Sequence, residues 1–195
     1  MTACPFDAET LSTVVRAHND GMDLTPVMAG RLRAHLVERQ TRLVLESNQT
    51  GAPAGTLDLD PPTRAAVRLT AADGSWDVTH VEAVPRHRKA HYSVDDGRGV
   101  VVATVWPAGA EVRMDVPGGS VDWQAPSLRR GRLFRYQVEG LLVARPSWTT
   151  MGSGDPGRRP FTLDVTPALA ARTDASLVLL LATWLTWQAV STSAA

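Results

Sequence analysis

The chain closes on TDASLVLLLATWLTWQAVSTSAA, residues 173–195, and after Asp174 it carries no charge. A helix from Ala175 to Val190 would be apolar on every side, so it cannot lie on a protein surface with one face in water. It belongs in a bilayer or at the centre of a large core. Such a helix spans roughly 24 Å at about 1.5 Å per residue, short of a hydrocarbon layer of about 30 Å. Ser176, Thr183, Thr186 and Gln188 interrupt it, and no Lys or Arg follows it to set an orientation. A protein core is the better home, with a membrane anchor as the alternative.

The preceding segments supply something to enclose the helix. Apolar residues alternate with polar ones at Leu57 and Leu59, Trp76 and Val78, Val112, Met114 and Val116, Phe134, Tyr136 and Val138, and Phe161, Leu163 and Val165. A period of two is the strand signature. Asp73-Gly74, Asp96-Gly97, Gly118-Gly119 and GSGDPG (152–157) punctuate these runs as turns. VVVATVW (100–106), the most continuous apolar run, predicts the best-covered strand. With TRLVLE (41–46) and shorter candidates, about eleven strands result, at the spacing of a sandwich or barrel. Barrels of about eight strands fill with their own side chains, whereas a can of about eleven has room for a central helix. The expected fold is therefore mainly β: a closed antiparallel barrel of about eleven to twelve strands around the buried C-terminal helix.

Residues 1–40 read as a helical hairpin ahead of a barrel domain, 41–195. In DAETLSTVVRAHNDG, Leu11, Val14, Val15 and His18 share a face, with Asp7 as N-cap and Gly21 as the stop. In LTPVMAGRLRAHLVERQ, Thr25 is the expected N-cap and Pro26 the first helical residue. Val27, Met28, Leu32 and Leu36 make a stripe expected to pack on the barrel or to support self-association. Two such helices could read DNA, but twenty basic and twenty acidic residues cancel. No nucleic-acid partner is expected.

RRPFTLDVTPALAARTDASLVLLLATWL (158–185) joins an aromatic-bearing last strand, Pro167 and an apolar terminal helix; YSVDDGRGVVVATVW (92–106) reads as strand, Asp-Gly turn, apolar strand. In pattern and order these resemble the tubby C-terminal-like superfamily, which includes the tubby proteins, the phospholipid scramblases and the plant LURP-one-related proteins. The likeness covers roughly residues 41–190. It implies a closed barrel of about twelve strands around the helix and no shared enzymatic reaction. It also implies, as for several members, association with membranes or phosphoinositides through basic surfaces. The chain departs from the family in having one lysine, Lys89, no palmitoylation cluster and no visible calcium-binding segment; its N-terminal hairpin has no counterpart there.

Two basic clusters are the candidate binding residues: Arg86, Arg88 and Lys89 in PRHRKAHY (85–92), and Arg129, Arg130 and Arg132 in SLRRGRLFRY (127–136). Guanidinium forks match phosphate oxygens, so the expected partner is an anionic membrane surface or a phosphate-bearing ligand. Either cluster alone is ordinary loop surface. About four strand crossings separate them, which would bring both to one rim. A metal on His87 and His91 is disfavoured among three cations. MGSGDPGRRP (151–160) lacks the lysine and the following helix of a phosphate loop. No serine sits on a nucleophile elbow, Cys4 stands alone, and Asp95 and Asp96 suit a turn. No catalytic residue, metal or cofactor is expected. Trp106, Trp184 and Trp187 read as core, and Trp123 and Trp148 as exposed rings for a ligand cleft. One cysteine and no secretory signal fit a cytoplasmic protein, at most peripheral to a membrane. The expected role is a binding or scaffold protein, with an enzyme site at the barrel mouth as the alternative.

Overall fold

Twelve strands close into one barrel, each antiparallel to its neighbours in sequence, with the first pairing with the last. A computed structural model describes residues 23–37, 41–60, 65–83, 90–108, 111–125, 135–146 and 160–192. The strands are β1 (Gly30–Val37), β2 (Arg42–Ser47), β3 (Pro53–Leu59), β4 (Ala66–Ala71), β5 (Gly74–Val81) and β6 (His91–Asp95). They continue as β7 (Val101–Ala108), β8 (Glu111–Val116), β9 (Gly119–Gln124), β10 (Tyr136–Val138), β11 (Leu142–Pro146) and β12 (Phe161–Val165). One helical turn, α1 (Pro167–Ala170), leads to α2 (Ala175–Thr192) inside the barrel.

Alternation decides which side chains face the helix. Leu43 and Leu45, Leu57 and Leu59, Val112 and Met114, and Phe161 and Leu163 are all buried. Between them the outward positions carry ion pairs that join register partners: Arg31–Asp164 at 2.7 Å, Arg42–Asp58 at 2.6 Å and Arg68–Asp77 at 2.8 Å. Each such exposed pair adds at most about 1 kcal/mol. Their position on the wall is more informative, since charged outward positions are the reverse of the apolar band of a membrane barrel.

The C-terminal helix fills the barrel. Val178, Leu179, Leu181, Ala182, Thr183, Trp184 and Thr186 are each 0% exposed. The wall makes room with small residues: Ala34, Ala66, Ala71, Ala103 and Ala144 are buried, and Gly55 meets the helix most closely. A Cβ at Gly55 would lie 2.8 Å from Leu180 Cδ2 and 3.1 Å from the Thr70 carbonyl. The two fully buried threonine hydroxyls of the helix are satisfied locally, as a dry core demands, whereas the buried Trp184 Nε1 has no hydrogen-bond partner among the described residues. Thr183 Oγ1 donates to the Leu179 carbonyl and Thr186 Oγ1 to that of Ala182, both at 2.7 Å. Among the described residues no helix is long and apolar enough to cross a membrane.

Three sequence expectations need correction. The second helix of the N-terminal hairpin is not one, because Gly30–Val37 is β1, the strand that closes the barrel between β12 and β2. Positions i and i+4 share a face in a strand as well as in a helix, so Leu32 and Leu36 fit both periods. Ala34 decides between them: it is 0% exposed while Arg31 and Arg33 face out. The supposed stripe for self-association is thereby dismantled, with Leu32 inside the barrel and Met28 left 72% exposed. The first helix of that hairpin lies outside the described residues. Next, the 100–106 run is not the best-covered strand. Val100 and Val101 are both 58% exposed, and only Ala103 and Val105 of that run are buried. Finally, Trp106 faces outward and is half-buried, whereas Trp123 is buried at 4% and donates from Nε1 to Thr186 Oγ1 at 3.2 Å. Trp123 therefore holds the helix instead of lining a cleft.

Candidate functional site

Antiparallel neighbours reverse direction at every connection, so connections alternate between the two ends of the barrel. Those following even-numbered strands are tight, such as 72–73 between β4 and β5 and 117–118 between β8 and β9. We call this the turn end, and α2 enters the barrel there. Connections following odd-numbered strands include the longest, 82–90, 125–135 and 147–160, and leave what we call the loop end.

The turn end is latched. Asp174, whose side chain is 4% exposed, precedes α2. Its carboxylate accepts Arg172 Nε at 2.7 Å, Arg172 Nη2 at 2.9 Å and the Gly118 amide at 2.7 Å. Burial works against its charged form. The hydrogen bonds from Arg172 and Gly118 and the Arg172 charge outweigh that, and the carboxyl is held below its ordinary value. A negative group at a helix N-terminus also complements the macrodipole. A Cβ at Gly118 would lie 2.5 Å from Arg172 Nη2 and 2.8 Å from Asp174 Oδ2, so a side chain there would push the pair aside. In the neighbouring hairpin, Asp95 Oδ1 accepts the Gly97 amide at 3.0 Å and Asp96 Oδ1 that of Arg98 at 2.9 Å. These aspartates serve the turn conformation, as their position in the sequence suggests.

The loop end gathers aromatic rings. His80 and Tyr92 are register partners with ring centroids 5.1 Å apart. Tyr92 meets Trp184 of α2 edge to face at 4.8 Å, linking this rim to the core. Outside the wall, His91 stacks on Trp106 at 4.5 Å. Trp106 Nε1 donates to Asp115 Oδ2 at 2.9 Å, and Asp115 Oδ1 accepts the Ser120 hydroxyl at 2.6 Å and Arg113 Nε at 2.9 Å. Ser120 and Arg113, with Trp106 a smaller contributor, hold the Asp115 carboxyl below its ordinary value. Sequence reasoning did not single out His80 and Tyr92. Their alternation within β5 and β6 marks the face they share, but nothing in the sequence shows that β5 and β6 pair in the register that joins them.

The six basic residues singled out in the sequence, Arg86, Arg88, Lys89, Arg129, Arg130 and Arg132, lie outside the described residues, as do His87 and Trp148. The strand ends that flank them do not. Val81 and His91 bracket the first cluster, Gln124 and Tyr136 the second, and β6, β7, β8 and β9 run between the two. Four crossings return the chain to the same end. His91 begins β6, stacked on Trp106, rather than standing free as a ligand. Among the described residues no three His, Cys, Asp or Glu side chains gather as a metal site would need. Compared with protein families, with curated proteins and with solved structures, the chain matches none.

Proposed function

We propose that this chain is a binding protein of tubby-like architecture whose loop end docks on an anionic, phosphate-bearing surface. The observation that carries the reading is the even number of strands between the two basic clusters, which directs both to one end of a closed barrel. The connections leaving that end contain eleven of the chain's twenty Lys and Arg residues against four Asp and Glu. At the turn end the connections contain two basic and four acidic residues, so the barrel is polarised along its axis. The twelve-stranded meander around a C-terminal helix is the architecture that the resemblance to the tubby C-terminal-like superfamily implies. Near an anionic membrane each juxtaposed cation contributes about 1 kcal/mol, and added salt screens it over about 10 Å at 0.1 M.

Vesicle co-sedimentation tests this, with neutral and anionic vesicles at low and high salt. The wild type should bind anionic vesicles alone, and salt should release it. Arg86→Ala/Arg88→Ala/Lys89→Ala and Arg129→Ala/Arg130→Ala/Arg132→Ala should each weaken binding, the two together most. Competition by inorganic phosphate or a soluble headgroup separates a discrete site from a diffuse surface. Equal binding to both vesicle types, or no effect of either triple change, would reject the reading.

A further inference from the structure

Two histidines stand at the loop end, on either side of the 82–90 connection. His80, exposed, is the second-last residue of β5, and His91, half-buried, is the first of β6. Three of the chain's five histidines fall within residues 80–91, the stretch that also holds Arg86, Arg88 and Lys89. Each of the two lies against an aromatic ring: His80 on Tyr92 at 5.1 Å, and His91 on Trp106 at 4.5 Å with the planes 28° apart. The β5–β6 ladder fixes both, since His80 pairs with Tyr92 and Val81 with His91. A ring face attracts a cation through its quadrupole, so such contacts persist when an imidazole takes up a proton. The groups facing the two rings leave the added charge in place. Towards His80, β6 presents Tyr92, with Trp184 of α2 behind it; Glu82 follows β5 in the exposed connection, and Asp77 is turned to Arg68 on β4 at 2.8 Å. Towards His91, β5 presents Val81 and β7 presents Trp106. Beyond Trp106, on β8, Asp115 and Arg113 are bound to each other at 2.9 Å, so their charges offset.

We propose that protons control the docking of this end on an anionic lipid membrane, the charging of His80 and His91 adding two cations to the rim. The gate rests on the loop-end docking proposed above and supplies its regulation. An imidazole gains charge as pH falls from about 8 to about 5, whereas arginine stays charged throughout. A lipid phosphodiester also keeps its charge over that range, so the protein alone carries the switch. The rim is least cationic in a mildly alkaline medium and most cationic in a mildly acidic one. Each cation added near anionic lipid tightens binding about fivefold, and two tighten it roughly thirtyfold.

The full chain is sedimented with vesicles of phosphatidylglycerol and phosphatidylcholine, and of phosphatidylcholine alone, at about pH 5.5 and about pH 8 in the same low salt. Affinity for the anionic vesicles should be roughly thirtyfold higher at the acidic pH. His80→Gln/His91→Gln should lose most of that gain and match the wild type at about pH 8, and each single change should lose about a fivefold share. His80→Arg/His91→Arg should bind at about pH 8 as the wild type binds at about pH 5.5, a gain that a misfolded variant would not show. Arg129→Ala/Arg130→Ala/Arg132→Ala should weaken binding at both pH values and keep the ratio. Equal affinity of the wild type for anionic vesicles at the two pH values would overturn the gate and leave loop-end docking standing, as would the full gain retained in His80→Gln/His91→Gln. No binding to anionic vesicles at either pH would reject the docking and the gate with it.

Discussion

Replacing Asp174 with alanine tests how the helix is held. The change removes the acceptor of two Arg172 contacts, at 2.7 and 2.9 Å, and of the Gly118 amide at 2.7 Å. Deleting one partner of a buried pair costs about 3–5 kcal/mol, because the other charge stays behind without compensation. The Arg172 side chain is 21% exposed, so water can rehydrate part of it and the loss falls at the lower end, about 3 kcal/mol. At about 2–4 °C per kcal/mol for a chain of this size, the melting midpoint should fall by roughly 6–12 °C. Asp174→Asn, which keeps an acceptor for Gly118 but loses the charge, should fall about half as far. The sign of the pH dependence follows from the lowered carboxyl. Its contribution is complete above the unfolded value of about 3.9 and is lost as pH falls through the lower folded value. Stability measured below about pH 4 should therefore decline less steeply in Asp174→Asn than in the wild type. Scanning calorimetry across that range supplies both numbers. A midpoint within about 2 °C of wild type for Asp174→Ala would refute the latch.

Two further changes probe the wall. Leu32→Asp places a carboxylate inside the barrel and should abolish soluble expression, while Arg33→Asp on the outer face should shift stability by less than about 1 kcal/mol; a helix at this position would not separate adjacent residues so sharply. Gly55→Val brings branched atoms into Leu180 and the Thr70 carbonyl, and overpacking of that kind costs about 1–3 kcal/mol by denaturant unfolding. An unchanged midpoint for Gly55→Val would show that the helix does not approach β3 so closely.

The helix and most of the wall could be read from the sequence because each follows from a period and a turn signal. α2 lacks charge from Ala175 onward, and the inward residues of β8 and β12 alternate without a break. β1 could not, since Leu32 and Leu36 sit at a spacing shared by helix and strand, and the need for a closing twelfth strand is a property of the whole barrel. Trp106 and Trp123 show a second limit. Each lies near the loop end of its strand, and facing in or out depends on the register of that strand in the barrel, which composition does not encode. The basic clusters were legible as charge, and the parity of the crossings as topology. The ring pairs at the loop end required knowing which strands meet.

Amide hydrogen exchange on the full chain in aqueous buffer, without lipid or detergent, tests most directly whether α2 is the core of the barrel. The amides of Leu177 to Trp187 should be the slowest in the protein and exchange only through global unfolding, together with those of inward-facing Leu57 and Met114. Exchange of α2 that is faster than that of the strands, or protection that appears only when vesicles are added, would contradict the account and return the helix to the membrane.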